Sequence, residues 1–144
     1  MHAVKILFGA FALLTASALQ AEAEFFTSNP DSPYSEAVKV GNLLFLAGQL
    51  GINRDNGELA PGGIQGETRQ ALENIKAIVE KNGGSMDQVP KCTVFLADIA
   101  EWASMNEVYV TYFPTNKPAR SAVGNSGLGR DARVEIECIA ALPN

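Results

Sequence analysis

Arg120 and Glu135 are the side chains whose types and spacing best suit chemistry on a small anion. Arg120 lies near the start of the strand-like segment PARSAV, and Glu135 lies 15 residues further on in the segment RVEIECIA. A guanidinium can hold a carboxylate through two parallel hydrogen bonds, and a nearby carboxylate can orient or deprotonate water. The pair therefore indicates hydrolysis of a small anionic substrate. A cross-strand salt bridge between the two residues would explain the same spacing.

Three further residues are weaker candidates. Tyr34 follows a proline near the start of the domain, Gly48 ends a buried apolar segment, and Asn106 lies in a predicted helix. The glycine would let a ligand approach the backbone. Taken alone, Tyr34 is better explained as a packing residue, Gly48 as a strand-end turn and Asn106 as a solvent-facing residue.

The amino-acid composition excludes several kinds of site. The one histidine, His2, lies in a segment that we expect to be removed, so the mature domain has no imidazole. This excludes Ser-His-Asp and Cys-His nucleophiles and zinc sites that use histidine. The two cysteines, Cys92 and Cys138, cannot form a four-thiolate site and match no metal-ligand spacing. Two buried thiols explain them more simply than a disulfide, which an oxidising compartment would permit.

The first 23 residues have the features of a secretory signal peptide. Lys5 supplies the positive charge, residues 6–19 are apolar or small, and Ala21 and Ala23 are the small residues that precede a cleavage site. The apolar run is short for a membrane span, although an uncleaved N-terminal anchor is the alternative. We therefore expect one domain at residues 24–144, periplasmic or secreted, with no later segment able to span a membrane.

The charge balance argues against nucleic acid as a partner. The chain has a net charge of -5, and removing residues 1–23 takes away one lysine and one glutamate, so the charge is unchanged. No dense cluster of lysine and arginine interrupts the acidic background. An acidic domain repels phosphate backbones.

The pattern of apolar residues predicts an α+β fold. One-sided helical periodicity predicts two helices, at residues 68–81 and 100–113. Short apolar runs between turn signals predict five strands, at residues 36–40, 43–47, 91–97, 119–123 and 132–141. We expect the last two strands to pair like a hairpin around the loop at 124–129, with both helices on one face of the sheet.

Alternation along the last strand predicts how the other face of the sheet is covered. Val134 and Ile136 would point toward the helices, whereas Glu135, Glu137 and Ile139 would point away from them. A face that no helix covers must be covered by something else, and self-association is the simplest answer.

Several segments together resemble the Rid family, also known as the YjgF or L-PSP family. The resemblance runs from about Ser32 to Leu142, and the segments that carry it follow in the family's order: LFLAGQLGIN, ETRQALENIKAIVEKNGG, KCTVFLADIAEWASMNEVYVTYF, PARSAV and RVEIECIA.

This resemblance implies a chorismate-mutase-like α+β domain with about six strands, assembled as a homotrimer with an active site in each cleft between subunits. It implies hydrolysis of reactive 2-imino and 2-enamino acids to 2-keto acids and ammonia, with no metal or organic cofactor. Residue by residue, it implies that Arg120 holds the substrate carboxylate and Glu135 positions the attacking water. Tyr34, Gly48 and Asn106 line the cleft, and a backbone carbonyl near Ala122 also holds the water.

The sequence departs from the family pattern at three places. Ala122 stands where many members have cysteine, and Ala47 where some have a hydroxyl residue. The loop at 124–129, GNSGLG, is richer in glycine and less charged than usual. Competing functions on the same fold are a non-catalytic trimer that binds small metabolites or partner proteins, an endoribonuclease or translation inhibitor, and a holdase-like chaperone. The physiological substrate and its source outside the cytoplasm stay open.

Overall fold

A computed structural model of the chain describes residues 22–143. The predicted signal peptide therefore lies almost wholly outside the described residues. Seven strands form one sheet: β1 (Ala23–Phe26), β2 (Ala37–Val40), β3 (Leu43–Leu46), β4 (Gln49–Leu50), β5 (Lys91–Leu96), β6 (Ala119–Gly124) and β7 (Val134–Ala141). Two α-helices, α1 (Gly63–Lys81) and α2 (Trp102–Tyr109), complete the α+β fold.

The strand order places β5 between the two strands that carry the main site candidates. The order along the sheet is β1-β2-β3-β7-β5-β6, with β4 also paired to β7. β6 runs parallel to β5 and pairs with no other described strand, whereas β7 runs antiparallel to β5. The expected pairing of β6 with β7 is therefore wrong, since each of them pairs with β5 instead.

Both helices cover one face of the sheet, as the apolar periodicity predicts. Leu72, Ile75 and Val79 of α1 are completely buried and share one stripe of the helix. Met105 of α2 is also fully buried in the same core. The alternate residues of β5 and β7 that face the helices are buried in the same way: Cys92, Val94, Leu96, Val134, Ile136, Cys138 and Ala140.

The helix boundaries follow local sequence signals. Gly62 and Gly63 have positive φ angles of 101° and 63°, so α1 begins directly after a glycine turn, five residues before the predicted start. At the other end, Gly83 has φ 83°, and the Gly84 N–H donates to the Val79 carbonyl at 3.0 Å. This is the left-handed cap that the Asn82-Gly83-Gly84 sequence predicts. The second predicted helix is divided into a 3₁₀ turn, α2, and a second 3₁₀ turn at Val110–Tyr112.

The sheet face opposite the helices, which we call the open face, exposes apolar side chains. Because paired residues point to the same side of a sheet, the register places Phe45 opposite Ile139 and Val123 opposite Phe95 on this face. Phe45 is 41% exposed and Val123 45% exposed. An apolar patch of this kind is typical of a protein–protein contact surface.

Cys92 and Cys138 form a disulfide, in contrast to the two free thiols that the sequence favours. They lie directly opposite each other on β5 and β7, with Cα atoms 4.1 Å apart. Both are buried against the helices. The pairing of the two strands therefore brings together two cysteines that are 46 residues apart in the chain.

We expect the disulfide to stabilise the domain by about 2–4 kcal/mol, because it closes a long loop in the unfolded chain. Urea unfolding of oxidised protein, compared with the same chain reduced and refolded, should show this difference in the free energy of unfolding. The reduced wild type is the matched control, since it keeps both sulfur atoms in the core. Detection of two free thiols in denatured, unreduced protein would contradict the bond.

Candidate active site

Arg120 faces the helices from the edge of the sheet. It lies opposite Cys92 in the register of β5 and β6, so its side chain is on the same side of the sheet as the buried disulfide. The guanidinium carbon Cζ is 4.5 Å from the centroid of the Tyr109 ring and 5.7 Å from that of the Trp102 ring. Arg120 is thus packed against α2 and not against its predicted partner, Glu135.

A cavity of about 390 Å³ adjoins Arg120, and we call it the arginine cavity. Its described lining residues are Asn106, Tyr109, Val110, Phe113, Lys117, Pro118 and Arg120. The two charged residues in this set, Lys117 and Arg120, are both cationic. With no carboxylate among the lining residues, the cavity attracts a small anion.

Two polar atoms in the arginine cavity are available to a ligand or to water. Asn106 Oδ1 and Tyr109 Oη are buried and have no hydrogen-bond partner within the described part of the chain. Burial raises the pKa of Tyr109 to about 12, although the charge of Arg120 acts in the opposite direction. Tyr109 is therefore protonated at neutral pH. Because buried polar groups are normally satisfied, both atoms are suited to hydrogen-bond a polar molecule in this cavity.

Glu135 lies on the open face. It is paired with Phe95, which is three residues from Cys92 on β5 and therefore points to the opposite side of the sheet. The Glu135 carboxylate lies against Gly48, where an added Cβ atom would overlap its Oε1. Glycine at this position thus leaves the room that the Glu135 carboxylate occupies, whereas the sequence suggests room for a ligand.

A second cavity, of about 530 Å³, adjoins Glu135, and we call it the glutamate cavity. It is bounded by Phe95, Glu135, Glu137 and the glycine-rich loop from Asn125 to Gly129. The charged lining residues are carboxylates only, so its electrostatic character is opposite to that of the arginine cavity. The unusual loop therefore borders Glu135 and not Arg120.

Tyr34 lies in a third cavity, next to the turn that contains Gly48. This cavity also contains Glu36, Gln49 and Arg54, and Tyr34 is 66% exposed at its rim. The Gln49 side-chain amide donates to the Ala47 carbonyl at 3.0 Å. Tyr34 thus lines the same cavity as Gln49, the residue after Gly48, and both Tyr34 and Gly48 are separate from the arginine cavity.

The backbone of β6 presents Ala122 at the free edge of the sheet. The N–H groups of Ala119 and Asn125 donate to β5 or its flanking residues, at 2.9 and 2.8 Å. Backbone groups alternate in direction along a strand, so those of Ala122 point away from β5. Because β6 is the last strand of the sheet, the Ala122 carbonyl is available to a group outside this chain.

Within one chain the structure therefore forms two half-sites. Arg120, Asn106 and the edge of β6 belong to one, while Glu135 and Gly48 belong to the other, on the opposite face of the sheet. Tyr34 lies in a separate cavity. The alternative of an Arg120–Glu135 salt bridge within one chain is wrong because the two side chains lie on opposite faces. None of the ion pairs in residues 22–143 includes either side chain.

Sequence reasoning missed Tyr109 and Trp102 as site residues and assigned both to the packing stripe of the helix. The spacing contains the signal that would have identified them. Trp102 precedes Asn106 by four residues and Tyr109 follows it by three, so all three project from one face of α2. A site assigned to Asn106 therefore predicts aromatic neighbours at these two positions.

Other kinds of site find no support among the described residues. Within residues 22–143, no group of three or more histidine, cysteine, aspartate or glutamate side chains is placed to hold a metal ion. Over the same residues, no helix has both the length and the apolar character that crossing a membrane requires.

Comparison with known proteins identifies clear relatives. The sequence profile of the family described as Endoribonuclease L-PSP matches residues 26–142. A RutC family protein of Pyrococcus horikoshii is 52% identical over 118 residues, which are 80% of this chain and 94% of that protein. The 2-iminobutanoate/2-iminopropanoate deaminase of Mus musculus is 44% identical over 108 residues, covering 75% and 80% of the two chains. The crystal structure of Escherichia coli TdcF with bound serine superposes with a TM-score of 0.74 at 37% identity, covering 78% and 90%.

The raised pKa of Tyr109 gives a test of its burial beside Arg120. The unfolded chain releases the tyrosine proton near pH 10, before the folded chain does, so the stabilisation present below pH 10 is lost as the pH rises toward 12. Between pH 8 and pH 11, urea unfolding should show that wild type loses about 1 kcal/mol more stability than Tyr109→Phe. Tyr34→Phe, the same change at an exposed site, is the control. An equal loss in wild type and Tyr109→Phe would refute the burial of this hydroxyl.

Proposed function

This chain belongs to the L-PSP endoribonuclease (YjgF/Rid) family, and on that premise we propose that it hydrolyses reactive 2-imino and 2-enamino acids to 2-keto acids and ammonia. The observation that carries the proposal is the arginine cavity, which is small, lined by two cations and no carboxylate, and has two unpartnered polar atoms. These features suit a small molecule with one carboxylate and one nitrogen-bearing carbon. A relative named for 2-iminobutanoate and 2-iminopropanoate and a relative with bound serine point to the same substrate class.

We propose that each complete site forms between two copies of the chain. Arg120 and Glu135 lie on opposite faces of their own sheet, so one copy cannot place both against one small substrate. The edge of β6 carries Arg120 and the outward-pointing Ala122 carbonyl, whereas the open face carries Glu135 beside Gly48. Contact of the edge of one copy with the open face of the next would bring the cationic half-site against the acidic half-site.

A closed ring of copies follows from this head-to-tail contact. The edge of β6 and the open face are different surfaces, so the contact is heterologous, and it closes into a ring when the rotation between copies divides a full turn. The homotrimer that the family resemblance implies is one such ring, with one site at each of its interfaces. The exposed apolar residues of the open face would be buried in that assembly.

In the proposed reaction, Arg120 holds the substrate carboxylate through two charge-assisted hydrogen bonds and thereby fixes the imine carbon in one pose. The Glu135 carboxylate of the neighbouring copy and the Ala122 carbonyl hold a water molecule against that carbon. Glu135 accepts one proton as the water oxygen bonds to carbon and passes it to the nitrogen, so that a carbinolamine forms. Glu135 then carries the second water proton from the hydroxyl group to the amine as the carbonyl forms. The carbon–nitrogen bond then breaks, so that ammonia and the 2-keto acid leave. Asn106 Oδ1 can accept a hydrogen bond from the substrate nitrogen.

The competing functions have less support. A non-catalytic trimer that binds metabolites would share every feature of the fold, and only an activity measurement separates it from the deaminase. An endoribonuclease would need to bind a phosphate backbone, and the net charge of -5 opposes that.

We also propose that the chain is exported, as the first 23 residues predict. Two observations are consistent with this. The Cys92–Cys138 disulfide suits an oxidising compartment, and cleavage after Ala23 would leave three of the four residues of β1 in the mature protein. An exported deaminase needs a source of imino acids outside the cytoplasm, such as oxidation of amino acids there.

Substitution of Arg120 tests the reaction and the site together. Release of ammonia from freshly generated 2-iminopropanoate should fall at least about 100-fold in kcat/KM for Arg120→Ala, because two charge-assisted hydrogen bonds are lost. Arg120→Lys should also be badly impaired, since an ammonium group cannot form the fork. Arg69→Lys makes the same change on the exposed side of α1 and is the matched control. Near-normal deamination by Arg120→Lys would show that the two-bonded guanidinium contact is not required. An inactive wild type would favour the binding-protein alternative.

Mixed oligomers test whether the site is shared between copies. Arg120→Ala and Glu135→Gln should each be inactive alone, but a refolded equimolar mixture should regain about a quarter of the wild-type activity. In a trimer of mixed composition, one interface of the three combines an intact Arg120 with an intact Glu135, and about three quarters of random trimers are mixed. The same two proteins combined without subunit exchange provide the control. A refolded mixture as inactive as its components would show that the two residues do not act across one interface.

A further inference from the structure

The Arg120 guanidinium lies over two aromatic rings that project from one face of α2. Trp102 and Tyr109 are seven residues apart, so they share a face and are separated by two helical turns, about 10.5 Å along the axis. The Cζ atom of Arg120 is 5.7 Å from one ring centroid and 4.5 Å from the other. The cation therefore contacts two rings that lie two turns apart on the same helix face.

The two aromatic rings are the contacts that hold the guanidinium group of Arg120. No hydrogen bond or ion pair of the Arg120 side chain occurs within the described part of the chain, so its N–H groups are free. Tyr109 is 5% exposed and is itself fixed by packing against Phe113, with ring centroids 4.9 Å apart. Trp102 is 45% exposed, so it forms the outer ring.

We infer that Trp102 and Tyr109 act as an aromatic clamp that positions Arg120 for a substrate carboxylate. This inference rests on the proposed function. The ring faces attract the cation through their quadrupoles, and they restrict a long side chain that would otherwise lose much rotamer entropy on binding. Contact with the rings leaves the N–H groups of the guanidinium without hydrogen-bond partners among the described residues, so they can bind a carboxylate bidentately.

In the aromatic clamp, the ring of Tyr109 has a role that its hydroxyl group does not share. The ring acts on Arg120, so a phenylalanine at this position retains the clamp, whereas a leucine removes one side of it. Trp102 acts from the solvent side, where phenylalanine should again retain much of the effect and leucine little. Both residues are positioning residues, since they act on the substrate through Arg120.

The first measurement tests the geometry without reference to any reaction. NMR of the Arg120 Nε–H group should show an upfield ring-current shift and restricted rotation about the Cζ–Nε bond. Tyr109→Leu should abolish most of the shift, and Tyr109→Phe should retain it. An Arg120 signal at the position of a freely rotating arginine in wild type would overturn the clamp.

The second measurement tests the effect on binding, with 2-oxobutanoate, a stable keto acid, as the probe. Calorimetry should show about tenfold weaker affinity for Trp102→Leu and for Tyr109→Leu, and most of the affinity should return in Trp102→Phe. The kinetic loss should appear mainly as a higher KM, because the reacting groups are unchanged. Tyr112→Leu, an aromatic-to-aliphatic change in the turn after α2, is the matched control, and urea unfolding checks that each variant is folded.

The two proposals fail in different ways. If wild type binds 2-oxobutanoate and Arg120→Ala does not, but the leucine variants bind like wild type, the clamp is wrong and the deaminase stands. If the ring-current shifts are present but wild type neither binds 2-oxobutanoate nor releases ammonia, the proposed function is wrong and the geometric part of the clamp stands. Trp102 is the one tryptophan in the chain, so its fluorescence gives a direct signal of ligand binding at Arg120 in wild type.

Discussion

Each side chain of a strand points to only one face of its sheet. The pairing of β5 with its two neighbours therefore decides which of their residues share a face. β5 pairs in parallel with β6 and antiparallel with β7, so it fixes the faces of both at once. Arg120 is aligned with a residue that faces the helices, and Glu135 with one that faces away from them. The separation of the two half-sites is therefore a consequence of strand pairing and not of any contact that the two side chains make.

The direction of side chains along β6 also decides which helix residues contact Arg120. Arg120 can meet Trp102, Asn106 and Tyr109 only because β6 directs it to the side that α2 covers. The α1 helix supports the site indirectly, because it fixes the strand end that contains Gly48. Asn74 of α1 donates to the carbonyls of Leu50 and Ile52 at 3.2 and 2.9 Å, and Gly51 lies so close to Glu67 that an added Cβ would collide with the helix.

Much of this fold is readable from the sequence, because the information is local. The apolar stripe of α1, its Gly83 cap and the alternation of Val134, Glu135 and Ile136 depend on residues within a few positions of each other. The partner of β6 is a different matter. Nothing in residues 118–123 distinguishes a hairpin with β7 from a parallel pairing with β5, since strand order is decided by contacts between distant segments. The short strand β1 was missed because Phe25 and Phe26 stand next to a polar, proline-containing segment.

The candidate site also combines features that local sequence predicts with features that only strand pairing determines. Residue types and the family resemblance identify Arg120, Glu135, Tyr34, Gly48 and Asn106 as candidates, but only the register shows which of them can act together in one copy. The disulfide was misjudged for this reason too, since Cys92 and Cys138 become neighbours only when β5 and β7 are aligned. By contrast, the aromatic neighbours of Arg120 follow from helical spacing alone once Asn106 is placed on α2.

The Cys92–Cys138 bond has a consequence for folding that is separate from its effect on stability. A shift of β7 against β5 by one residue would turn Glu135 into the core and Ile136 out of it. The bond joins one residue of each strand directly opposite the other, so any chain that has closed it holds β7 in the one alignment that keeps Glu135 on the open face. The disulfide therefore forms only between correctly paired strands. Once it has formed, later fluctuations of the sheet cannot exchange the two faces of β7.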